Sequence, residues 1–140
     1  MAVYNKHQPF VEHIAKGVHN LLTGALTVAL CATANAPVAA NAVLADLTQI
    51  AYTNLSSRVL TVSSCVQTSG VLKLVIADLT LTASGGAVAA FRYIDIYNDT
   101  PTSPADPLIC WFDYGSSLTL ADTETLLLDF DGTNGLLQIT

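Results

Sequence analysis

The chain has 140 residues, of which 51% are hydrophobic and only 11% are charged, and its formal net charge is −6. This length fits one domain, and such an apolar composition excludes an intrinsically disordered chain. Residues 1–70 carry three basic and two acidic side chains, whereas residues 71–140 carry two basic and nine acidic ones. Because nucleic acids and anionic membranes attract clusters of cations, this pattern argues against both as partners.

The three cysteines, Cys31, Cys65 and Cys110, are far apart and form no Cys-x-x-Cys pair. Their spacing matches no zinc motif, and their odd number argues against a disulfide framework. We expect three free, half-buried thiols in a reducing compartment. Residues 16–36 resemble a secretory signal in layout, but the apolar run is too short and too rich in Thr and Gly to cross a bilayer. We interpret that run as a buried strand.

The first twenty residues predict a short helix behind an extended arm. Pro9 suits the first position of a helix, and Phe10, Ile14 and Val18 recur every four residues. Gly17 weakens this pattern, so we expect two or three turns at most. Residues 1–8 look extended and have no partner within the segment, which makes them a candidate arm toward another subunit.

From residue 26 the hydrophobic period changes to two, which is typical of strands. Residues 67–70 predict a hairpin turn, and the inward phase reverses near Ala77, which predicts a bulge or a bend between two sheets. Residues 44–50 suggest one short helical turn, and the prolines of residues 98–107 predict an irregular, exposed loop. We expect seven or eight strands, within residues 26–30, 58–66, 71–82, 91–97, 108–114, 118–120, 125–130 and 137–139.

Short strands with turn signals about every ten residues indicate one all-β domain over residues 1–140. The predicted fold class is a jelly-roll-like antiparallel β-sandwich with a short N-terminal helix. A parallel α/β fold would need helices between its strands, and none long enough follows residue 51.

Few residues suggest chemistry. His7, His13 and His19 are spaced six apart, which would not place them on one helix face, so we predict exposed or subunit-contacting histidines and no metal site. Residues 129–135 resemble the start of a calcium loop but lack its closing Glu. A hairpin turn is the better interpretation, and a weak cation site there stays open. We predict no catalytic residue, no cofactor and no small-molecule substrate, and therefore no enzyme.

The aromatic residues suggest contacts. Tyr93 and Tyr97 share one face of a predicted strand, while Trp111 lies opposite Phe112 and Tyr114 on another. In a sandwich only one face of each strand lines the core. Either a partner covers some of these rings, or loops of the same chain do.

Several segments resemble a family of short phage structural proteins encoded beside head genes. In size and layout the chain is similar to the capsid cement, or decoration, proteins of short-tailed bacteriophages of the Bordetella phage type. The resemblance spans nearly the whole chain, and it is carried by residues 1–6, 18–21, 91–93, 97–109, 113–117 and 129–135.

The resemblance implies a jelly-roll protein that sits as homodimers on the outside of an icosahedral shell and bridges neighbouring capsomers. Its partner would be the major capsid protein, its location the virion exterior after assembly in the host cytoplasm, and no active-site residue carries over. We expect residues 1–20 and 98–107 to make the contacts. The interface candidates are Tyr4, Phe10, Tyr93, Tyr97, Pro101, Pro104 and Trp111. The alternatives are a tail or baseplate component and a carbohydrate-binding module that stacks sugars on Trp111 and the tyrosines.

Overall fold

Strands dominate the structure, a computed structural model that describes residues 2–140. A single α-helix, α1 (Pro9–Ala15), and a 3₁₀ turn (Leu44–Asp46) are the helical elements of this part of the chain. The strands are β1 (Val3–Lys6), β2 (Leu26–Cys31), β3 (Val62–Thr68), β4 (Val71–Ile76), β5 (Leu79–Thr82), β6 (Phe91–Asn98), β7 (Leu108–Leu118), β8 (Thr125–Leu128) and β9 (Leu137–Ile139).

The strands form three antiparallel sheets in two layers. One layer is the four-stranded sheet β1-β7-β6-β2, and the other consists of the sheets β3-β4-β9 and β5-β8. The main core joins the layers, because it contains Val28 and Ile96 from the first and Leu74, Leu81 and Leu137 from the second. This arrangement confirms the predicted all-β antiparallel sandwich with a short N-terminal helix.

Helix α1 begins where the sequence predicts, at Pro9, and its seven residues match the expected length of two or three turns at most. Pro9 occupies the first turn, and Phe10 is the residue that the helix buries. Gly17 takes a φ of +72°, and its amide donates to the Ile14 carbonyl at 3.1 Å. The Val18 amide donates to the His13 carbonyl at 2.9 Å, which completes the paired hydrogen bonds of a Schellman C-cap. Glycine is favoured there because the left-handed conformation strains other residues.

Two predicted turns and the predicted bend between sheets are confirmed. Residues 67–70 join β3 to β4, and Ser69 and Gly70 both take positive φ, as the two-residue turn of a tight hairpin requires. The phase reversal near Ala77 marks a change of sheet, since β4 pairs with β3 and β9 whereas β5 pairs with β8. The 3₁₀ turn also confirms the short helical turn expected in residues 44–50.

The segment 129–135 is not a hairpin turn, and that prediction is wrong. It connects β8 to β9, which lie in different sheets. Gly135 takes a φ of +79°, and a Cβ added to it would meet the Leu74 carbonyl oxygen at 2.5 Å. The chain therefore crosses close to β4 on its way to β9, a contact that turn composition alone does not reveal.

The predicted strand at 118–120 is also wrong. Leu118 ends β7, and the backbone hydrogen bond of Leu120 is the one that its carbonyl accepts from the Val88 amide.

The predicted N-terminal arm is an edge strand. Residues 3–6 pair with β7, from Val3 opposite Asp113 to Lys6 opposite Cys110, and Met1 lies outside the described residues. A strand whose partner comes from the far end of the chain looks unpaired in its own segment. The sequence pattern could therefore not distinguish an arm from an edge.

A long connection covers the outer face of the four-stranded sheet. Within residues 32–50, Leu47 and its neighbours pack against Ala29, Tyr93, Tyr97 and Trp111. The same connection helps to close the edge at β2, because the Ile50 amide donates to the Leu30 carbonyl at 2.9 Å. The opposite edge, at β1, has no such cover among residues 2–140.

Candidate interaction surface

Four of the seven interface candidates lie inside the chain. Phe10 packs in the main core, and Tyr93, Tyr97 and Trp111 are buried under the connection 32–50. The prediction that these four residues form a contact surface is therefore wrong: Phe10 is a core residue, and the connection 32–50 covers the other three rings. The other three keep some exposure, since Tyr4 is 40% exposed and Pro101 and Pro104 are half-buried.

The proline-rich loop that follows β6 is irregular and mostly exposed, as predicted. The Asp106 carbonyl accepts a hydrogen bond from the Leu44 amide at 2.9 Å, which ties the loop to the connection 32–50. Partial burial and a hydrogen bond with Asp99 raise the pKa of Asp106. The loop is thus anchored at its end and presents polar side chains at its tip.

His7 and Asp95 form a polar pair that the sequence did not predict. Both side chains are fully buried, and His7 Nε2 lies 3.0 Å from Asp95 Oδ2. The Trp111 ring lies on the imidazole, with 4.5 Å between the ring centres. The expectation of exposed histidines is wrong for His7 and His19, because β1 carries His7 onto the covered face of the sheet and α1 leads His19 into the core.

The burial of the pair and its neighbours indicates a structural role for His7 and Asp95. Burial raises the pKa of Asp95, and the hydrogen bond with His7 acts in the opposite direction. Two nearby thiols are also buried: burial raises the pKa of Cys31 to about 12, and that of Cys110 rises for the same reason. Thiols with raised pKa values stay protonated near neutral pH and are poor nucleophiles. The pair therefore anchors the end of β1 to the centre of the sheet, out of reach of a substrate.

His19 lies where α1 meets the core. Its ring centre is 5.2 Å from that of Phe10 and 5.9 Å from that of His13, and its Nδ1 lies 3.4 Å from Asn98 Nδ2. Burial, with a smaller contribution from His13, lowers the pKa of His19 to about 4. No group of three or more His, Cys, Asp or Glu side chains within residues 2–140 has a geometry that could hold a metal ion.

The carboxylate of Asp131 is hydrogen-bonded within its own turn, residues 131–134. Asp131 accepts hydrogen bonds from the Thr133 amide at 2.7 Å and from the Asn134 amide and side chain at 2.8 Å each. The hydrogen bonds from Asn134 and Thr133 lower the pKa of Asp131. Its oxygens therefore serve to hold the turn.

An apolar groove opens beside β8; its lining includes Ala2, which precedes β1, together with residues of β7 and β8, and we call it the β1–β8 groove. It has a volume of about 410 Å³. Its floor includes Phe112 and Phe130, whose rings meet edge to face with centres 6.5 Å apart, and Tyr4 meets Phe112 in the same way at 5.5 Å. Its walls include residues 126–128 and Tyr114. The groove is therefore a gap between layers that the chain leaves unfilled.

The rim of the groove is unusually apolar for a surface. Leu127 is 55% exposed, and Tyr114 and Tyr4 are also exposed. Three consecutive leucines occupy residues 126–128, and a strand can turn only alternate side chains inward. That triplet is the signal from which sequence analysis could have found this surface.

The β8 side of the groove is acidic. Asp122 and Glu124 precede Thr125, and Asp129 and Asp131 follow Leu128, all four with exposed side chains. Lys73 donates to the Thr133 carbonyl at 3.2 Å. Of these four acidic residues, Asp129 lines the groove, which therefore combines an apolar floor with one carboxylate and has further acidic side chains near the ends of β8.

No protein-family profile matches the chain, and neither the curated proteins nor the solved structures contain a significant match. None of the helices in the described part of the chain is long and apolar enough to span a membrane. The candidate surface therefore has to be interpreted from its own chemistry.

Proposed function

We propose that this chain is a structural virion protein that decorates and stabilises the outside of a bacteriophage capsid by bridging neighbouring capsomers. The observation that supports the proposal is the exposed apolar groove on a chain in which only 11% of residues are charged. Exposed apolar surface of this kind typically marks a protein–protein contact. The partner is the major capsid protein, and the working form is a homodimer.

The mechanism is mass action and needs no chemistry. A protein that binds the assembled shell and not its separate subunits stabilises the shell by its binding free energy. Symmetry repeats the site over the whole shell, so modest affinity at each site adds up to a large effect. The buried pair of His7 and Asp95 contributes rigidity to such a clamp and has no access to a substrate.

The experiment that tests this function uses heads purified without the protein. Adding the protein back should produce extra density on the outside of the heads in electron microscopy. It should also raise the temperature at which a dye detects released DNA. Heads that show neither change would contradict the proposal, and density on the tail would indicate a tail or baseplate component instead.

The carbohydrate-binding alternative loses its structural support. That alternative stacks sugar rings on a surface platform of Trp111 and the tyrosines, and Trp111, Tyr93 and Tyr97 are buried. A glycan array probed with the purified chain should therefore remain blank. Specific glycan binding would overturn the capsid proposal in favour of a binding module.

A further inference from the structure

The two strands beside the β1–β8 groove both have a free edge within residues 2–140. β1 is the last strand of its sheet, and β8 pairs with β5 alone. The His7 amide donates to the Ile109 carbonyl at 3.2 Å, toward β7. Because the direction of backbone groups alternates along an antiparallel strand, the amides and carbonyls of Tyr4 and Lys6 point away from β7. They are available to a further strand.

The other edge of the four-stranded sheet, at β2, is covered. At β2 the Val28 amide donates to the Arg58 carbonyl at 2.9 Å, and the Leu30 carbonyl accepts from the Ile50 amide. The edge at β2 is therefore closed by the chain itself. Free strand edges invite pairing with other chains, and native proteins usually cover or blunt them. An open edge that adjoins an apolar groove is a surface suited to receiving a strand.

The charges decide which occupant fits. Asp129 lines the groove, the exposed side chains of Asp122, Glu124 and Asp131 lie near the ends of β8, and the chain as a whole carries −6. A second copy placed in the groove would bring like charges together, which disfavours association. An apolar segment with Lys or Arg beside it would complement both the apolar floor and the carboxylate of Asp129. Lys6 is the one basic residue of β1, and it is the last residue of the strand.

We propose that the β1–β8 groove binds an extended apolar segment of a partner protein, flanked by basic residues, which adds a strand to β1. The segment's backbone would pair with Tyr4 and Lys6, and alternate side chains would enter the groove over Phe112 and Phe130. Strand addition of this kind takes affinity from main-chain hydrogen bonds and specificity from the side-chain pockets. The inference rests on the proposed function in one respect: on a phage head, the segment belongs to the major capsid protein.

The first test uses a fluorescein-labelled synthetic peptide, Lys-Val-Thr-Val-Thr-Val-Lys, and a control peptide with Glu in place of both Lys residues. Fluorescence anisotropy should show binding of the Lys peptide that is about tenfold or more tighter than that of the Glu peptide, with a difference that shrinks at high salt. Equal affinities, or no binding of the Lys peptide at millimolar concentration, would overturn the proposal.

Matched variants locate the binding site. Leu127→Asp should weaken peptide binding, because Leu127 lines the groove. Val66→Asp should not, because Val66 lies on β3 and does not line the groove. The two side chains are similarly exposed, at 55% for Leu127 and 61% for Val66, so the variants are matched. Tyr4→Pro and Tyr4→Val both remove the ring, but only proline also removes the outward amide. Tyr4→Pro should therefore bind the peptide more weakly than Tyr4→Val. Thermal melts establish that each variant is folded before its binding is measured.

The outcomes separate this proposal from the proposed function. If Leu127→Asp still decorates heads and the peptide does not bind, the groove proposal fails while the capsid function stands. If the peptide binds in the groove but no variant or wild-type chain decorates heads, the capsid function fails and the groove stands. Self-association that Tyr4→Pro abolishes, with no peptide binding, would make a second copy the occupant and overturn the choice of partner.

Discussion

His7 and Asp95 lie 88 positions apart in the sequence and meet on the covered face of the four-stranded sheet. A buried pair of this kind adds little net stability compared with apolar residues, yet it is costly to break, because one polar partner is then left without the other. His7 directly follows β1, so the pair fixes the end of an edge strand whose single neighbouring strand is β7. Its contribution is to position β1 beside the groove.

Asp95→Ala tests this contribution. Removing the carboxylate leaves a buried imidazole without its partner, and we expect the free energy of unfolding to fall by about 3–5 kcal/mol. Asp113→Ala is the matched control, because its salt bridge with Arg92 is partly exposed to solvent and should cost far less. Urea unfolding at neutral pH measures both variants. Equal losses would show that the buried pair has no special structural role.

His19 predicts a dependence of stability on pH. Its pKa is about 4 in the folded chain against an ordinary value of 6.5, so the folded state disfavours the protonated ring. The associated stability is present above pH 6.5 and is lost as the pH falls from 6.5 toward 4, by up to ~3 kcal/mol. Asp95 acts in the opposite direction. Its pKa is raised, so its ionised form destabilises the folded state, and protonation in acid removes that destabilisation.

The measurement is the slope of unfolding free energy against pH, compared between the wild-type chain and His19→Gln. The variant lacks the titrating ring and should lose less stability between pH 6.5 and 4 than the wild-type chain does. Comparing slopes removes the constant effect of the substitution and the shared contribution of Asp95. Parallel slopes would contradict the assignment of this pH dependence to His19.

At the scale of the elements, the connection from β8 to β9 depends on one glycine. Gly135 has both a positive φ and no room for a Cβ, whereas Gly17 has the positive φ with open space around it, and Gly132 has neither restriction. These three glycines separate backbone strain from steric clash within one protein.

We expect the losses of stability for Gly→Ala to rank Gly135 over Gly17 over Gly132. Gly17→Ala should cost ~1 kcal/mol from its backbone conformation, and Gly132→Ala should cost almost nothing. Gly135→Ala should cost more than Gly17→Ala, because the added Cβ also meets the Leu74 carbonyl oxygen, which the β4–β9 pairing holds in place. Chemical unfolding ranks the three, and a different order would contradict the close crossing of β4.

β1 supplies a second prediction at this scale. A strand that pairs with β7 along four residues belongs to the sheet, so deletion of residues 1–6 should destabilise the fold by about 2 kcal/mol or more. A free arm could be removed without any such loss. Thermal unfolding of the truncated chain measures the effect, and hydrogen exchange should show faster exchange at the β7 amides that face β1. An unchanged melting temperature would support the hypothesis that these residues are a free arm.

At the scale of the whole molecule, the two layers and their covering connection enclose most of the apolar residues. The cysteines report on this enclosure, since Cys31 and Cys110 are fully buried and Cys65 is half-buried, all three unbonded. Burial also raises the pKa of each thiol, which lowers its reactivity.

Thiol labelling of the native chain should therefore modify at most one cysteine, and labelling of the unfolded chain should modify three. Cys65 is the expected native site, and Cys65→Ser should abolish native labelling. Reductant should leave the melting temperature unchanged, because no disulfide contributes to stability. Rapid labelling of native Cys31 would show that the connection 32–50 does not close the outer face of the sheet, and rapid labelling of native Cys110 would show that the main core is open.

Local signals in the sequence were sufficient for most of the elements, but not for β1 or for the end of β7. The alternation of apolar residues, the dipeptide Ser69-Gly70, the pair of Pro9 and Gly17, and the phase reversal at Ala77 each act within a few residues, so they determined strands, a hairpin, a helix and a change of sheet. The prediction for residues 129–135 was wrong because a turn composition does not reveal which strands the turn connects.

Only the tertiary structure decided which side chains meet and which stay exposed. The partner of β1, the burial of Tyr93, Tyr97 and Trp111, the pair of His7 and Asp95, and the β1–β8 groove all depend on residues far apart in the chain. Hydrophobic period and turn chemistry are short-range properties, whereas packing joins surfaces that have no common local pattern. The sequence alone therefore determined the kind of layers, and their stacking determined the surface that a partner can reach.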